Sequence, residues 1–228
     1  MQCEILRAER RVEMGSRTIV VGDIHGCYDE LMALMEEVEL QDDDRVIAVG
    51  DLITKGPKSR EVLELFISDK RFTTVIGNHD LMLRRRWNGE DIELKAAQKE
   101  TNKELKADRD TFLIFLNSLP FLIELENHLV VHAGIRPQVA LHSQTTGDLT
   151  RMRTLGPDRE SDEGTPWYHV YQGEKTVLFG HWPAPEPRRG PKAIGLDTGC
   201  VYGYNLTAYI IETDEFVNVP ALKAYDES

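Results

Sequence analysis

Cysteine is scarce in this chain. Three in 228 residues, Cys3, Cys27 and Cys200, form an odd, scattered set with no Cys-x-x-Cys spacing, which argues against a disulfide framework and against a thiolate zinc site. The expectation for Cys27 and Cys200 is a pair of small buried thiols. Long hydrophobic runs are also missing, and none approaches the ~20 residues of a membrane-spanning helix. The polar opening, Met1 to Arg17 with Arg7, Arg10, Arg11 and Arg17, lacks the apolar stretch of a secretory signal. The expectation is a cytoplasmic protein with no membrane partner. Positive charge is short as well: 27 Lys and Arg stand against 39 Asp and Glu, a formal net charge of −12. Such a chain gains no general attraction to a polyanion, so non-specific nucleic-acid binding is disfavoured. An anionic substrate would need cations built into its site. No internal repeat and no separating linker are visible, so 1–228 reads as a single domain, and 41% hydrophobic residues suffice for a sizeable core.

What is present is a recurring pattern: a short apolar strand, then glycine, then a metal-ligating or acid–base side chain. Residues 18–22 read as a buried strand running into Gly22-Asp23-Ile24-His25-Gly26. A helix follows, with Asp29 as expected N-cap and Leu31, Leu34, Met35 and Val38 on its inner face. A second strand, 45–49, ends at Gly50-Asp51. A helix over 59–69 turns Val62, Leu63, Phe66 and Ile67 inward, and a third strand, 72–76, ends at Gly77-Asn78-His79-Asp80. This βαβαβ order predicts a layered α/β domain with its ligands at the strand ends. Segment 81–118 is helical and highly charged, an exposed helix or a mobile arm docked by Phe112, Phe115, Leu116 and Leu119. Strand 129–131 ends at His132-Ala133-Gly134. Segment 136–166 is a loop-rich, polar, substrate-side stretch. Strand 176–179 ends at Gly180-His181, 183–191 reads as a Pro- and Arg-rich turn, 193–196 leads to Asp197-Thr198-Gly199, and 206–211 with 215–219 form a closing antiparallel pair.

Collected, the strand ends offer Asp23, His25, Asp51, Asn78, His79, Asp80, His132 and His181. Mixed oxygen and nitrogen donors suit a pair of divalent first-row metals (Mn first, with Fe, Co or Zn as alternatives) rather than Ca or Mg alone. One assignment uses every group once. Asp23 and His25 hold one metal, Asp51 bridges, and Asn78, His132 and His181 hold the other. Two such cations make a nucleophile of bound water near neutral pH. His79 is left over and suits the role of general acid, with Asp80 beside it to orient and charge-stabilise the ring. His128, His142 and His169 are read as ordinary hydrogen-bonding histidines.

Gly22-Asp23-Ile24-His25-Gly26, Gly50-Asp51, Gly77-Asn78-His79-Asp80, His132-Ala133-Gly134 and Gly180-His181 together resemble the five-part signature of the phosphoprotein phosphatase superfamily of calcineurin-like metallophosphoesterases. The resemblance spans nearly the whole chain. It implies two mixed β-sheets sandwiched between helices, a dimetal centre at the sheet ends, and the same ligand roles. In many protein phosphatases of the superfamily the second motif is Gly-Asp-x-Val-Asp-Arg-Gly. Here it is Gly50-Asp51-Leu52-Ile53-Thr54-Lys55-Gly56-Pro57, with threonine for the acid and lysine for the phosphate-gripping arginine. That form resembles the ApaH-like phosphatases. Lys55 supplies a point charge where arginine supplies a fork. Arg153 matches a second phosphate-binding arginine, with Arg151 as the alternative, and Arg84 to Arg86 and Arg188-Arg189 are candidate rim cations. The implied activity is hydrolysis of phosphate esters or anhydrides, on dinucleoside polyphosphates, nucleotide caps or polyphosphate. A serine/threonine protein phosphatase is the alternative, and a non-catalytic phosphate-binding module is the alternative from another class.

Overall fold

The computed structural model describes residues 5–7 and 16–227; Cys3, Arg10 and Arg11 lie outside them. In chain order the elements are β1 (Ile5–Arg7), β2 (Thr18–Val21), α1 (Tyr28–Glu37), β3 (Arg45–Ala48), α2 (Ser59–Ser68), β4 (Phe72–Thr74), α3 (Asn78–Trp87), α4 (Ala96–Glu104), α5 (Arg109–Ser118), β5 (Leu122–Glu124) and β6 (His128–Val131). There follow α6 (Thr146–Arg151), α7 (Trp167–Val170), β7 (Thr176–Phe179), β8 (Arg188–Gly190), β9 (Ala193–Gly195), β10 (Asn205–Ile210) and β11 (Glu215–Pro220).

The strands form two mixed sheets, ordered β1-β5-β6-β7-β9-β8 and β11-β10-β2-β3-β4. Four of the five motif strands are central: β2 pairs parallel with β3, and β6 parallel with β7, while β4 lies at a sheet edge. Central parallel strands are covered on both faces, which is why they read as unbroken apolar runs. Val20, Ile47, Val130 and Leu178 meet between the sheets, whereas Ile19, Val21, Val46 and Val177 face the helices. The result is the sandwich of two mixed sheets between helices that the motif order implies. Among the described residues no helix is long and apolar enough to cross a membrane. Cys27 and Cys200 are buried and free, as expected.

Several local expectations change. Asp29 is not an N-cap: α1 begins one residue before it, and the carboxylate in its first turn binds Lys58 Nζ at 2.7 Å. Ile67 is 42% exposed, because α2 turns Val62, Leu63 and Phe66 inward instead. The charged segment folds back onto the body as α3, α4 and α5 rather than standing free. Trp87, Leu94, Leu105 and Phe112 are buried, Trp87 Nε1 donates to Asn102 Oδ1 (2.7 Å), and Glu104 Oε1 accepts from Arg60 N (2.8 Å). The turn expected at 183–191 contains an edge strand, β8, which among the described residues pairs only with β9. Edge positions tolerate such composition because one row of backbone groups needs no strand partner.

Candidate metal centre

Asp23, His25, Asp51, His132 and His181 leave the ends of central strands, whereas Asn78, His79 and Asp80 open α3 just beyond the edge strand β4. Both oxygens of Asp23, just past β2, accept from His181 N (3.1 and 3.2 Å). Asp51 Oδ1, just past β3, accepts from His79 N (2.8 Å), in the first turn of α3. A helix N-terminus carries unpaired N–H groups and a positive dipole end, so it favours a carboxylate there. His25, Asp51 and His181 have φ of 48°, 49° and 68°, as do Thr54 and Lys55 at 81° and 76°. A side chain in this left-handed region costs of the order of 1–3 kcal/mol and persists where its surroundings over-determine it. Two glycines leave room for the carboxylates. A Cβ at Gly77 would stand 2.1 Å from Asp51 Oδ1, and one at Gly180 would stand 1.9 Å from Asp23 Oδ1.

The far side of each histidine ring faces a carbonyl, which sets its tautomer. His25 Nδ1 donates to Ile53 O (3.1 Å), His132 Nδ1 to Val49 O (2.9 Å) and His181 Nε2 to Arg151 O (3.1 Å). The remaining ring nitrogens therefore present lone pairs, and they converge on other acceptors. Asp51 Oδ2 lies 3.5 Å from His25 Nε2 and 3.5 Å from His132 Nε2, while Asp23 Oδ2 lies 4.0 Å from His25 Nε2. Asn78 Oδ1 lies 2.8 Å from both His132 Nε2 and His181 Nδ1. Donor atoms of Asp23, Asp51 and His132 fall within 4.8 Å of one another, as do those of His25, Asp51 and His79, so Asp51 is common to both groups. Lone pairs facing lone pairs in a buried site are repulsive unless a cation or proton stands between them. The oxygen and imidazole donors match those preferred by divalent first-row metals, and the set fits two cations sharing Asp51.

The electrostatics agree. Burial, then the Asp197 and Asp51 charges, push Asp23 well above the carboxylate range, and burial pushes Asp51 up to about 7. Burial lowers His25 and His181 well below the usual imidazole value and His132 to about 4. His79 falls to about 3, through burial first and then the charges of Lys55 and His132. Cations reverse the cost of the carboxylate charges, and burial already favours the neutral histidines that they require.

One side chain does not act as its neighbourhood in sequence implies. Asp80 does not orient the His79 ring. Its oxygens accept from Gly77 N (3.0 Å) and Leu52 N (3.1 Å), and His79 Nδ1 is buried without a hydrogen-bond partner. Asp80 thus ties the second and third motifs together, because the helix start that carries it offers backbone donors closer than the ring. Thr54 Oγ1 is likewise buried and partnerless. Lys55 Nζ reaches the Tyr202 hydroxyl and lies 3.7 Å from Asp226 Oδ2. Burial alone would lower its pKa, but the hydroxyl and the Asp51 and Asp226 carboxylates outweigh it and raise it. Arg153 Nη1 binds Asp162 Oδ1 (2.8 Å), and Arg151 Nη1 lies 3.4 Å from Glu160 Oε2. Arg151 also acts on Asp51, His79 and His132 through its charge, whereas Arg153 acts on His181. Among the rim candidates, Arg84 lies over Phe121, Arg85 pairs with Glu90, and Arg188 donates to the carbonyls of Trp182 and Pro183. One group escaped selection: Asp197, buried, its charge acting on both Asp23 and Asp51. The signal was present, because Ala193–Gly195 is another short apolar strand followed by an acid two residues on.

A two-sheet α/β sandwich whose central strand ends converge on this donor set defines a metallophosphoesterase, a hydrolase of the phosphatase class. The chain belongs to the calcineurin-like phosphoesterase family, whose model matches residues 16–216. A bis(5'-nucleosyl)-tetraphosphatase PrpE [asymmetrical] of Bacillus subtilis (strain 168) is 31% identical over 92% of this chain and 96% of its own. A bis(5'-nucleosyl)-tetraphosphatase, symmetrical, of Vibrio campbellii is 31% identical over 83% of this chain and 93% of its own. A crystal structure of a candidate diadenosine tetraphosphatase superposes with a TM-score of 0.81 at 31% identity, covering 96% of this chain and 98% of the other.

Proposed function

We propose that this phosphatase cleaves a phosphoanhydride bond of dinucleoside polyphosphates at two divalent cations, with manganese as the metal, in the cytoplasm. The observation that carries the proposal is the convergence of acceptor atoms on Asp51 Oδ2, which is 3.5 Å from a histidine nitrogen on either side. The relatives, bis(5'-nucleosyl)-tetraphosphatases, supply the substrate class. Asp23 and His25 serve one position, Asn78, His132 and His181 the other, and Asp51 both. Bound there, two cations supply an acidified water and neutralise charge building on the phosphoryl oxygens.

The remaining work falls to the chain. Lys55 and Arg153 give up acidic side-chain partners for the phosphate oxygens. A carboxylate releases a cation to phosphate readily where the phosphate carries more charge and more acceptor oxygens. Burial and the Lys55 and His132 charges favour a neutral His79 ring in the free protein. A phosphate anion beside it favours the charged ring, so substrate itself would load the proton that His79 passes to the leaving oxygen. Asp80 and Asp197 act as positioning residues, the first through backbone and the second through charge.

The test compares turnover of diadenosine tetraphosphate, inorganic polyphosphate and a phosphopeptide with Mn, reading the nucleotide products. Preference for the dinucleotide is expected, and a strong preference for the phosphopeptide overturns the reading. Replacing His79 by Asn should lower kcat about a hundredfold, and undiminished turnover removes His79 from the chemistry.

A further inference from the structure

Beside Lys55 lies a cavity of about 460 Å³ whose walls include Pro183, Pro185, Tyr202, Tyr204 and Ala224. We propose that it receives a nucleobase of the substrate, a subsite that rests on the dinucleoside polyphosphate reading above.

Four observations lead there. First, the cavity borders the proposed phosphate cation, since Tyr202 and Asp226 of its lining both meet Lys55. Pro183 is two residues beyond His181, and Tyr202 places its ring in the wall while its hydroxyl reaches Lys55 Nζ. The cavity therefore begins one tyrosine side chain away from the proposed phosphate cation.

Second, part of its lining is apolar and ring-bearing, through Pro183, Pro185, Tyr202 and Tyr204. Proline and tyrosine rings offer faces to a planar heterocycle, and base–aromatic stacking tolerates any base because every base has a π-face. Tyr204 is 49% exposed although large and aromatic. Its ring is held at the Asp197-Thr198-Gly199 turn, where a Cβ on Gly199 (φ 68°) would stand 2.9 Å from Tyr204 Cδ2.

Third, the charge is wrong for phosphate. Asp226 and Glu227 also line the cavity, and carboxylates repel a phosphoryl group while accepting from the exocyclic amine of a base. Phosphates are thereby confined to the metal and Lys55 side, and an uncharged, amine-bearing ring to the other.

Fourth, the walls are fixed in advance. Arg188 lies 4.4 Å from the Trp182 ring and donates to the carbonyls of Trp182 and Pro183 (3.0 Å each), Ala184 N donates to Asp197 O (3.1 Å), and Ala221 N donates to Tyr204 O (2.7 Å). A preformed wall avoids the ordering entropy that binding otherwise costs.

The experiment uses the full chain with Mn and the variants Tyr204→Ala and Tyr204→Phe. The ratio of kcat/KM for diadenosine tetraphosphate to that for inorganic tripolyphosphate should fall about tenfold in Tyr204→Ala, through KM, and return in Tyr204→Phe, as expected for loss and recovery of one stacked ring. An unchanged ratio in Tyr204→Ala overturns the subsite. In parallel, saturation-transfer NMR with adenosine alone should show transfer to the adenine protons in the wild type and in Tyr204→Phe, and its loss in Tyr204→Ala. Equal transfer in all three overturns the subsite regardless of activity. If adenosine follows the expected pattern while no dinucleoside polyphosphate is turned over, the proposed reaction fails and the subsite stands.

Discussion

The two carboxylates of the metal centre and the two cations proposed for phosphate are held in opposite ways. Asp23 and Asp51 are fixed by backbone N–H groups from distant motifs, with glycines pressed against them. Lys55 and Arg153 are held by side chains: Tyr202 and Asp226 for one, Asp162 for the other. Backbone contacts follow from the strand order and survive sequence change, whereas side-chain contacts vanish with one substitution. The candidate metal centre is thus set by contacts that belong to the fold. The substrate side is a property of individual residues in connecting segments, and it can differ between relatives that share the fold.

The largest effect expected from breaking this contrast is Asp51→Asn. It removes the charge shared by the two donor groups and should lower kcat/KM by about a thousandfold, of the order seen when one transition-state-stabilising group is lost, with metal content per chain falling in the purified protein. Gly180→Ala alters only packing, yet its methyl would collide with Asp23 Oδ1. A loss of about ten- to a hundredfold in metal affinity is expected, comparable to losing a ligand's supporting partner, readable by metal titration alongside Tm. Full affinity would show that the carboxylate has slack the structure does not suggest. On the other side, Lys55→Met should raise KM about tenfold, the worth of one charge-assisted hydrogen bond, and leave metal content intact. The smallest change is Asp162→Asn, which releases Arg153 from an exposed partner. KM should move by no more than about twofold, since exposed ion pairs are weak. A large shift in either direction would mean that this pair sets the position of Arg153 after all.

The same contrast explains what the sequence made readable. Asp23, Asp51, His132 and His181 announce themselves because a buried strand, a glycine and a polar residue are adjacent along the chain. The fold follows from the order of those strands. What stayed hidden depends on partners remote in sequence. Asp80 resembles a histidine orienter until the N–H groups of Gly77 and Leu52 are seen to take its oxygens. Asp29 resembles a cap until Lys58 stands opposite it. Ile67 fits an apolar face by spacing but lies beyond the arc that α2 covers. β5 was concealed because Leu122–Glu124 follows a helix and Pro120 directly, and β8 because prolines and arginines mask an edge strand. Asp197 obeyed the grammar and was passed over, since its strand is among the shortest and its charge acts through neighbours rather than by contact.

The bond between His181 and Asp23 joins residues 158 apart in sequence, and β2, which delivers Asp23, is flanked on one side by β10, with Val21 opposite Ala208. On the ribosome, therefore, the first motif emerges long before either the strand that borders it or the backbone that holds its carboxylate. Until then β2 has an open edge, and the emerging chain carries apolar strands awaiting partners, a state prone to association with other chains. Contacts of such separation also slow folding. The candidate metal centre therefore stays incomplete until His181 has been synthesised, late in the growth of the chain.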